Sequence, residues 1–352
     1  MKTCLDDVDY INSIDGSGML REISRFPSNA EQAIKDALKV DLGESSDFNS
    51  VVISGMGGSA VGGLLLSDWL LYTSETPIHV SRDYQLPRWV NEDTLVFAVS
   101  YSGNTEETLS QYHEAMERGC RVICFCSGGE LEKHAHRDGN PVIKFPQGIQ
   151  PRAAIPYQFF SLAAVSKNLG LFPLKKWEEV WETIQVTKVL CESMGVESSR
   201  EGNRSKQLAE MIHMRTPFIY GSRMFQAVAY RYSTQFNENS KTPAASSFFP
   251  EMFHNSVMAR EGSKDVLGGI IAVIIRHPFE GIRLRRKIDA TRDLLSEKFG
   301  LVVEVEAVGE SDLARMMSVL LIGDYTSAYL GVLYGVDPGT TDSIAKLKAI
   351  MG

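Results

Sequence analysis

The sequence predicts an α/β protein of two similar halves, each a parallel sheet covered by helices on both faces. Three observations predict it. Short β-branched runs alternate with longer helical runs across residues 51–145, as in sheets built from βαβ units. The run Val51-Val52-Ile53-Ser54 ends in Gly55-Met56-Gly57-Gly58-Ser59, and an apolar helix follows at once; such sheets place ligands at that kind of junction, beyond the carboxyl ends of their strands. The alternation returns more loosely after residue 216, where Pro217-Phe218-Ile219-Tyr220 leads into Gly221-Ser222-Arg223, so the pattern reads as a repeated half.

The totals agree. A chain of 352 residues makes about two domains at roughly 100–200 residues each. Its 43% apolar and 23% charged residues are ordinary for a globular protein. A net charge of −8 argues against a nucleic-acid footprint, so anions must be attracted locally. No uninterrupted apolar run reaches the roughly 20 residues of a membrane span, and no apolar signal core follows Met1. The expectation is a cytoplasmic protein that engages neither membrane nor nucleic acid. Five cysteines, an odd number, read as reduced thiols. Cys120, Cys124 and Cys126 lack Cys-x-x-Cys spacing and are expected to pack a strand rather than hold zinc.

Taken in order, residues 1–44 form a helical extension, 45–175 a first domain, 176–215 connecting helices, and 216–352 a second domain with a C-terminal helix. Met19, Leu20, Ile23 and Phe26 recur at helical spacing, and a second helical run covers 29–38; both are expected to pack against the first sheet. Strands are expected near 51–54, 78–80, 95–100, 122–126 and 142–145, with helices at 61–72, 105–118 and 131–137 between them. Three prolines and a glycine make residues 146–156 a loop that carries Arg152. An apolar helix at 157–169 closes the half. Two amphipathic helices then span 176–215, broken between Gly195 and Gly202. The second half adds a helix at 225–236, strands at 217–220, 268–276 and 301–308, an exposed basic helix at 281–299, an apolar helix at 312–330 and a terminal helix from 342.

The chemistry concentrates in three places. Gly57-Gly58-Ser59 opens one helix, and Ser100-Tyr101-Ser102-Gly103-Asn104-Thr105 opens another. Glycine admits close approach of a ligand, and the first helical amides are free to donate to an anion. Together the two turns read as one phosphate cradle. Neither the lysine of a P-loop nor G-x-G-x-x-G spacing is present, so the expected ligand is a small phosphate ester rather than a nucleotide. The third place, residues 237–255, mixes polar groups with prolines and aromatics and reads as a loop lining a cleft. Glu238 and His254 there are a carboxylate and an imidazole, the usual proton-transfer groups. The Glu251/His254 pair alone makes no metal site. Composition and spacing do not choose Glu238 over Glu251 as a base.

The segments 53–60, 100–108, Pro151-Arg152, Asn237-Glu238-Asn239-Ser240-Lys241 and Pro250-Glu251-Met252-Phe253-His254-Asn255 resemble the bifunctional phosphoglucose/phosphomannose isomerase family, from about residue 45 onward. The N-terminal extension and residues 176–215 match its pattern only loosely. The resemblance implies two SIS domains, each with a five-stranded parallel sheet, in a homodimer with shared active sites. It implies that Gly57, Gly58, Ser59, Ser100, Ser102 and Thr105 hold the phosphate of a hexose 6-phosphate, and that Gly58 and Arg152 flank the reacting carbons. Glu238 would be the base, and His254, from the neighbouring subunit, would open the sugar ring with help from Lys348. Thr341, seven residues before that lysine and next to Thr340, would mark acceptance of both epimers by leaving room for the intermediate to turn. Neither metal nor cofactor is implied. The narrower alternatives are an isomerase of glucose 6-phosphate alone and a sugar-phosphate-binding regulator that does no chemistry.

Overall fold

The computed structural model describes residues 4–43 and 47–351. Helices α1 (Val8–Ile14) and α2 (Met19–Ser24) come first. Asp7 caps α1 by accepting from the Tyr10 amide. Asp15 accepts from the Met19 and Leu20 amides at the start of α2. Helix α3 (Phe26–Ala37) follows, with Phe26, Ala30, Ala33 and Ile34 buried at helical spacing.

The first sheet comprises β1 (Ser50–Ser54), β2 (Ile78–Ser81), β3 (Thr94–Ser100), β4 (Arg121–Cys126) and β5 (Val142–Lys144). Its order is β2-β1-β3-β4-β5 and every pair is parallel. Strands β1 and β3 are buried along their whole length, as strands covered on both faces must be. The alternating helices are α4 (Gly57–Leu70), α5 (Glu106–Glu117) and α6 (Gly129–Asp138), and α7 (Ile155–Asn168) closes the half. Val52, Val96, Ala98, Cys124, Tyr112 and Leu131 form one buried layer. Cys124 and Cys126 are fully buried free thiols of β4, so they pack a strand as expected. Desolvation pushes the Cys126 thiol up to about 11.

Helices α8 (Leu174–Trp177), α9 (Glu179–Met194) and α10 (Arg204–Ile212) follow. The Asn203 side chain caps α10 through the amides of Ser205 and Lys206. The second sheet consists of β6 (Thr216–Ser222), β7 (Ala245–Phe249), β8 (Ile270–Arg276) and β9 (Leu301–Glu306), ordered β7-β6-β8-β9 and again all parallel. It therefore has four strands, not the five that the family resemblance implied. After β9 the chain runs directly into a long buried helix, so among the described residues nothing extends the sheet. Strand β7 lies inside the stretch expected to be a loop. Its half-exposed Ser-Ser-Phe-Phe run pairs along β6, and tertiary pairing outweighs its weak strand pattern.

Helices α11 (Gln226–Asn239), α12 (Lys264–Leu267), α13 (Ile282–Ser296), α14 (Asp312–Leu333) and α15 (Asp342–Met351) complete the second half. Helix α13 is the basic helix foreseen at 281–299, and its Ile288 and Leu295 cover the Ala272 and Ile274 side of the sheet. Helix α14 is long and apolar enough to cross a membrane, yet 94% of its most apolar window is buried inside the protein. It is a core helix that packs on α10 and α11.

Residue contacts divide the chain into two units, Phe26–Ile184 and a second made of Met1–Arg25 with Gln185–Gly352. The expectation that the N-terminal helices pack with the first sheet holds for α3, which lies on α7. It fails for the segment before it, because α2 packs on α14. An amphipathic stripe declares that a helix is buried, not against which partner.

Candidate active site

In the first unit, β1 and β3 end side by side and deliver two turns to one place. Helix α4 starts at Gly57 with no side-chain cap on its amides, which leaves a 14-residue helix presenting its N-terminus there. Gly57 has φ +51°. A Cβ on Gly58 would stand 3.0 Å from the Pro151 carbonyl oxygen and 3.5 Å from the Arg152 Cα, so this position admits only glycine without displacing backbone. That close approach sets the Arg152 backbone against the first turn. Gly62, one helical turn on, meets Gln158 of α7 at 3.1 Å in the same way, and the Gln158 amide donates to the Pro151 carbonyl at 3.1 Å.

The hydroxyls organise the rest. Ser59, only 6% exposed, accepts from the Tyr101 amide at 3.2 Å, which ties the first turn to the second. Ser100 accepts from the Gly103 amide at 3.1 Å and pairs with the Thr105 hydroxyl at 2.8 Å. Ser102 accepts from the Asn104 amide at 3.2 Å. Each of these serine oxygens takes a backbone proton. The Ser59 and Ser102 protons, and one from the Ser100/Thr105 pair, are left to donate, which is the polarity an anion needs. Ser102 is exposed and Thr105 half-buried, whereas Ser100 is 1% exposed. Ser100 therefore shapes the turn from beneath.

Tyr101 is the residue that the sequence quoted without giving it work. Its hydroxyl donates to the Pro146 carbonyl at 2.8 Å and accepts from the Ile149 amide at 2.9 Å. Its own carbonyl receives the Ser127 amide and hydroxyl at 2.8 and 2.7 Å. One aromatic side chain thus holds the loop leading to Arg152, while its backbone holds the turn. Arg152 is 4% exposed.

In the second unit, Glu238 lies half-buried in the last turn of α11. The helix stops with the Ser240 and Thr242 amides both on the Phe236 carbonyl and with Lys241 left-handed at φ +56° just past its end. The Lys241 ammonium donates to the carbonyls of Glu238 (2.5 Å) and Thr340 (2.8 Å). Asn239 points inward, donating to the Ser327 hydroxyl of α14 at 2.9 Å. Further back, Arg231 of α11 makes a two-pronged ion pair with Asp324 of α14 at 2.9 and 2.8 Å, joined by Gln235 at 3.1 Å. Burial pushes the Asp324 carboxyl up, against the pull of Arg231. The clamp fixes the rotation of the helix that carries Glu238. Sequence spacing gave no sign of it, because its members lie 93 residues apart.

His254 ends a short 3-10 turn (Glu251–His254) after β7 and is exposed. Glu251, the other carboxylate considered as a base, is exposed too and accepts from the Asn255 side chain at 2.7 Å. Thr341 is exposed, and its carbonyl accepts from the Ala345 amide at the start of α15. Neighbouring Thr340 turns its hydroxyl back to the Asp337 carbonyl at 3.1 Å. The Lys348 side chain lies outside the described residues.

Comparison with known proteins adds kinship to this geometry. A model described as the bacterial phospho-glucose isomerase C-terminal SIS domain matches residues 201–351, and the SIS domain model matches 46–141. The chain is 38% identical over 94% of its length, and 98% of the relative's, to the bifunctional phosphoglucose/phosphomannose isomerase of Caldicellulosiruptor bescii. It is 34% identical to the enzyme of that name from Aquifex aeolicus, over 86% of this chain and 90% of that one. Among solved structures, a glucose-6-phosphate isomerase like protein from Thermus thermophilus superposes with TM-score 0.65 at 19% identity, over 98% of this chain and 99% of that one. That likeness speaks for the fold alone.

Proposed function

Because the chain belongs to the bifunctional phosphoglucose/phosphomannose isomerase family, we propose that it interconverts glucose 6-phosphate and mannose 6-phosphate with fructose 6-phosphate. The observation that carries the phosphate part of this reading is the bond from the Tyr101 amide to Ser59. It makes one anion cradle of two turns, with the Arg152 backbone against Gly58.

The roles run residue by residue. Ser59, Ser102, Thr105 and the amides at Gly57 and Gly58 hold the phosphate, and Ser100 supports them. Glu238 moves one proton between carbons 1 and 2 of the open sugar, through a cis-enediolate that both aldoses share. The Arg152 guanidinium stabilises the developing oxyanion. His254, contributed by the second chain of a homodimer, and Lys348 exchange protons with the ring oxygen and anomeric hydroxyl during ring opening. Thr341 leaves space for the enediolate to turn before it is reprotonated on its other face. The support for Glu238 over Glu251 is that Glu238 is half-buried on a clamped helix, whereas Glu251 is exposed and engaged with Asn255. The workplace is the cytoplasm, in keeping with five free cysteines.

The test is turnover of fructose 6-phosphate to each aldose by wild type and Glu238→Gln. Loss of a positioned general base costs about 10²–10⁴-fold, so the variant should lose turnover by that order and still bind fructose 6-phosphate. Undiminished turnover would remove Glu238 from its role. Mixing inactive His254→Ala and Glu238→Gln chains should restore partial activity if sites are shared between chains, and none if each chain works alone.

A further inference from the structure

We infer that Lys241 is a positioning residue that sets the spacing between the glutamate's helix end and the Thr340–Thr341 segment, and thereby the ratio in which the two aldoses form. The inference rests on the isomerase reading above and assigns a part to a lysine that makes none of its chemistry.

Lys241 occupies a conformation that favours glycine. A left-handed φ costs an L-residue about 1–2 kcal/mol, and such a cost persists where the surrounding structure depends on it. Here the return is visible. From that backbone position the ammonium donates to the carbonyl of Glu238, on its own helix, and to the carbonyl of Thr340, 99 residues on. Glycine in its place would cap the helix equally well and could not reach either oxygen.

The Thr340 segment is held from its other side as well. The Asp337 carboxylate accepts from the Gly339 amide at 2.8 Å, from the Ser17 hydroxyl at 2.6 Å and from the Ser17 amide at 3.0 Å. The N-terminal segment therefore anchors the loop between α14 and α15. A third contact joins the two strings. A Cβ on Gly331 of α14 would stand 2.8 Å from the Asn239 carbonyl oxygen and 3.3 Å from Pro338. The end of the glutamate's helix and the loop before Thr340 thus press on the same glycine. Lys241, Ser17 and Gly331 make one brace, in which a shift of the Thr341 segment is a shift relative to Glu238. The room Thr341 leaves decides how freely the enediolate turns, so the brace bears on the epimer ratio more than on the phosphate cradle.

The experiment compares wild type with Lys241→Gly, Lys241→Arg and Ser17→Ala, reading kcat, KM and the glucose to mannose 6-phosphate ratio formed from fructose 6-phosphate. Misplacement of about 1 Å costs up to about 100-fold. Lys241→Gly should therefore lose about tenfold in kcat with KM nearly constant, and shift the ratio by about threefold or more. The same variant relieves the strained φ, so its thermal stability should hold or rise. Lys241→Arg should recover part of both losses, and Ser17→Ala should move the ratio in the same direction. A Lys241→Gly enzyme with wild-type kcat and ratio would overturn the inference alone. Wild type silent on both aldoses would overturn the isomerase reading and this inference together.

Discussion

The two halves use the same device, a strand ending in Gly-Ser before a helix, and spend it differently. In the first, the hydroxyls beyond β1 and β3 are all engaged: Ser59, Ser100 and Ser102 each accept a backbone amide. In the second, the Ser222 hydroxyl at the end of β6 is buried with no hydrogen-bond partner among the described residues, as is Ser54 at the end of β1, so the halves differ in the turns beyond their strands rather than in the strand ends. What holds helix α11 in the second half is charge, in the buried Arg231–Asp324 pair, and close helix contact, since a Cβ on Gly323 would fall 2.2 Å from the Tyr232 ring. Under the proposed function, the difference follows the task. An anion cradle must keep neutral donors uncommitted and backbone close, so it is built from glycine and hydroxyl. A helix that aims one carboxylate needs a fixed rotation, which a two-pronged ion pair supplies.

Breaking the stronger device should show first. Arg231→Met leaves Asp324 buried without its cation, at a cost of about 3–5 kcal/mol, measured by urea denaturation of the full chain. Replacing both partners with apolar residues should recover much of that loss, and a double variant no better than the single one would remove the ion pair as the cause. Next comes the cradle. Gly103 has φ +73°, and a Cβ there would fall 1.7 Å from the Gly128 carbonyl oxygen. Gly103→Ala should cost about 1–3 kcal/mol and raise KM for the sugar phosphate, whereas Arg231→Met at a temperature where it stays folded should lower kcat instead. That opposite split sharpens the contrast between the halves. Ser59→Ala removes a charge-assisted donor worth about 1.5–3 kcal/mol, so KM should rise about tenfold or more, and because it also strips the buried Tyr101 amide of its acceptor the melting temperature should fall as well.

The smallest effect concerns acid. Asp138 in the first half is held down to about 2 by Arg137 and the Tyr112 hydroxyl, while Asp324 in the second is pushed up by burial. A depressed carboxyl contributes stability above its unfolded value near 3.8 and loses it as pH falls through about 2. A raised one has the reverse sign, and its ionisation weakens the fold as pH climbs from that same value toward its native one. Asp138→Asn should flatten the acid-side loss of stability between about pH 4 and pH 2, and an unchanged acid limb would remove its part.

Much of this was legible in the sequence. All five strands of the first sheet fall within about a residue or two of their expected places; β1, β3 and β4 carry the continuous apolar signature of strands buried on both faces, while β2 and β5 are partly exposed. Both hydroxyl turns and the break between 195 and 202 were equally plain. Strand β7 was not, since an edge strand of Ser-Ser-Phe-Phe needs its neighbour to be a strand at all. Nor were the brace and the clamp: Lys241 with Thr340, Ser17 with Asp337 and Arg231 with Asp324 are pairs of polar residues whose meeting is decided only after helices pack. The near misses are Gly58 and Gly62, four apart on one face of α4, a spacing that announces close approach.

The division of the chain has a consequence for its synthesis. Residues 26–184 form a continuous unit, while the other unit is discontinuous in sequence, made of residues before 26 and residues after 184. During translation the continuous unit leaves the ribosome entire and is free to fold while its sibling is still being made. Helix α2, whose partner α14 begins only at Asp312, must wait through nearly the whole elongation period. Its docking closes a loop of nearly the whole chain, and long closures are slow. A nascent-chain protease time course should therefore find helix α2 cut long after the residues behind it have become resistant.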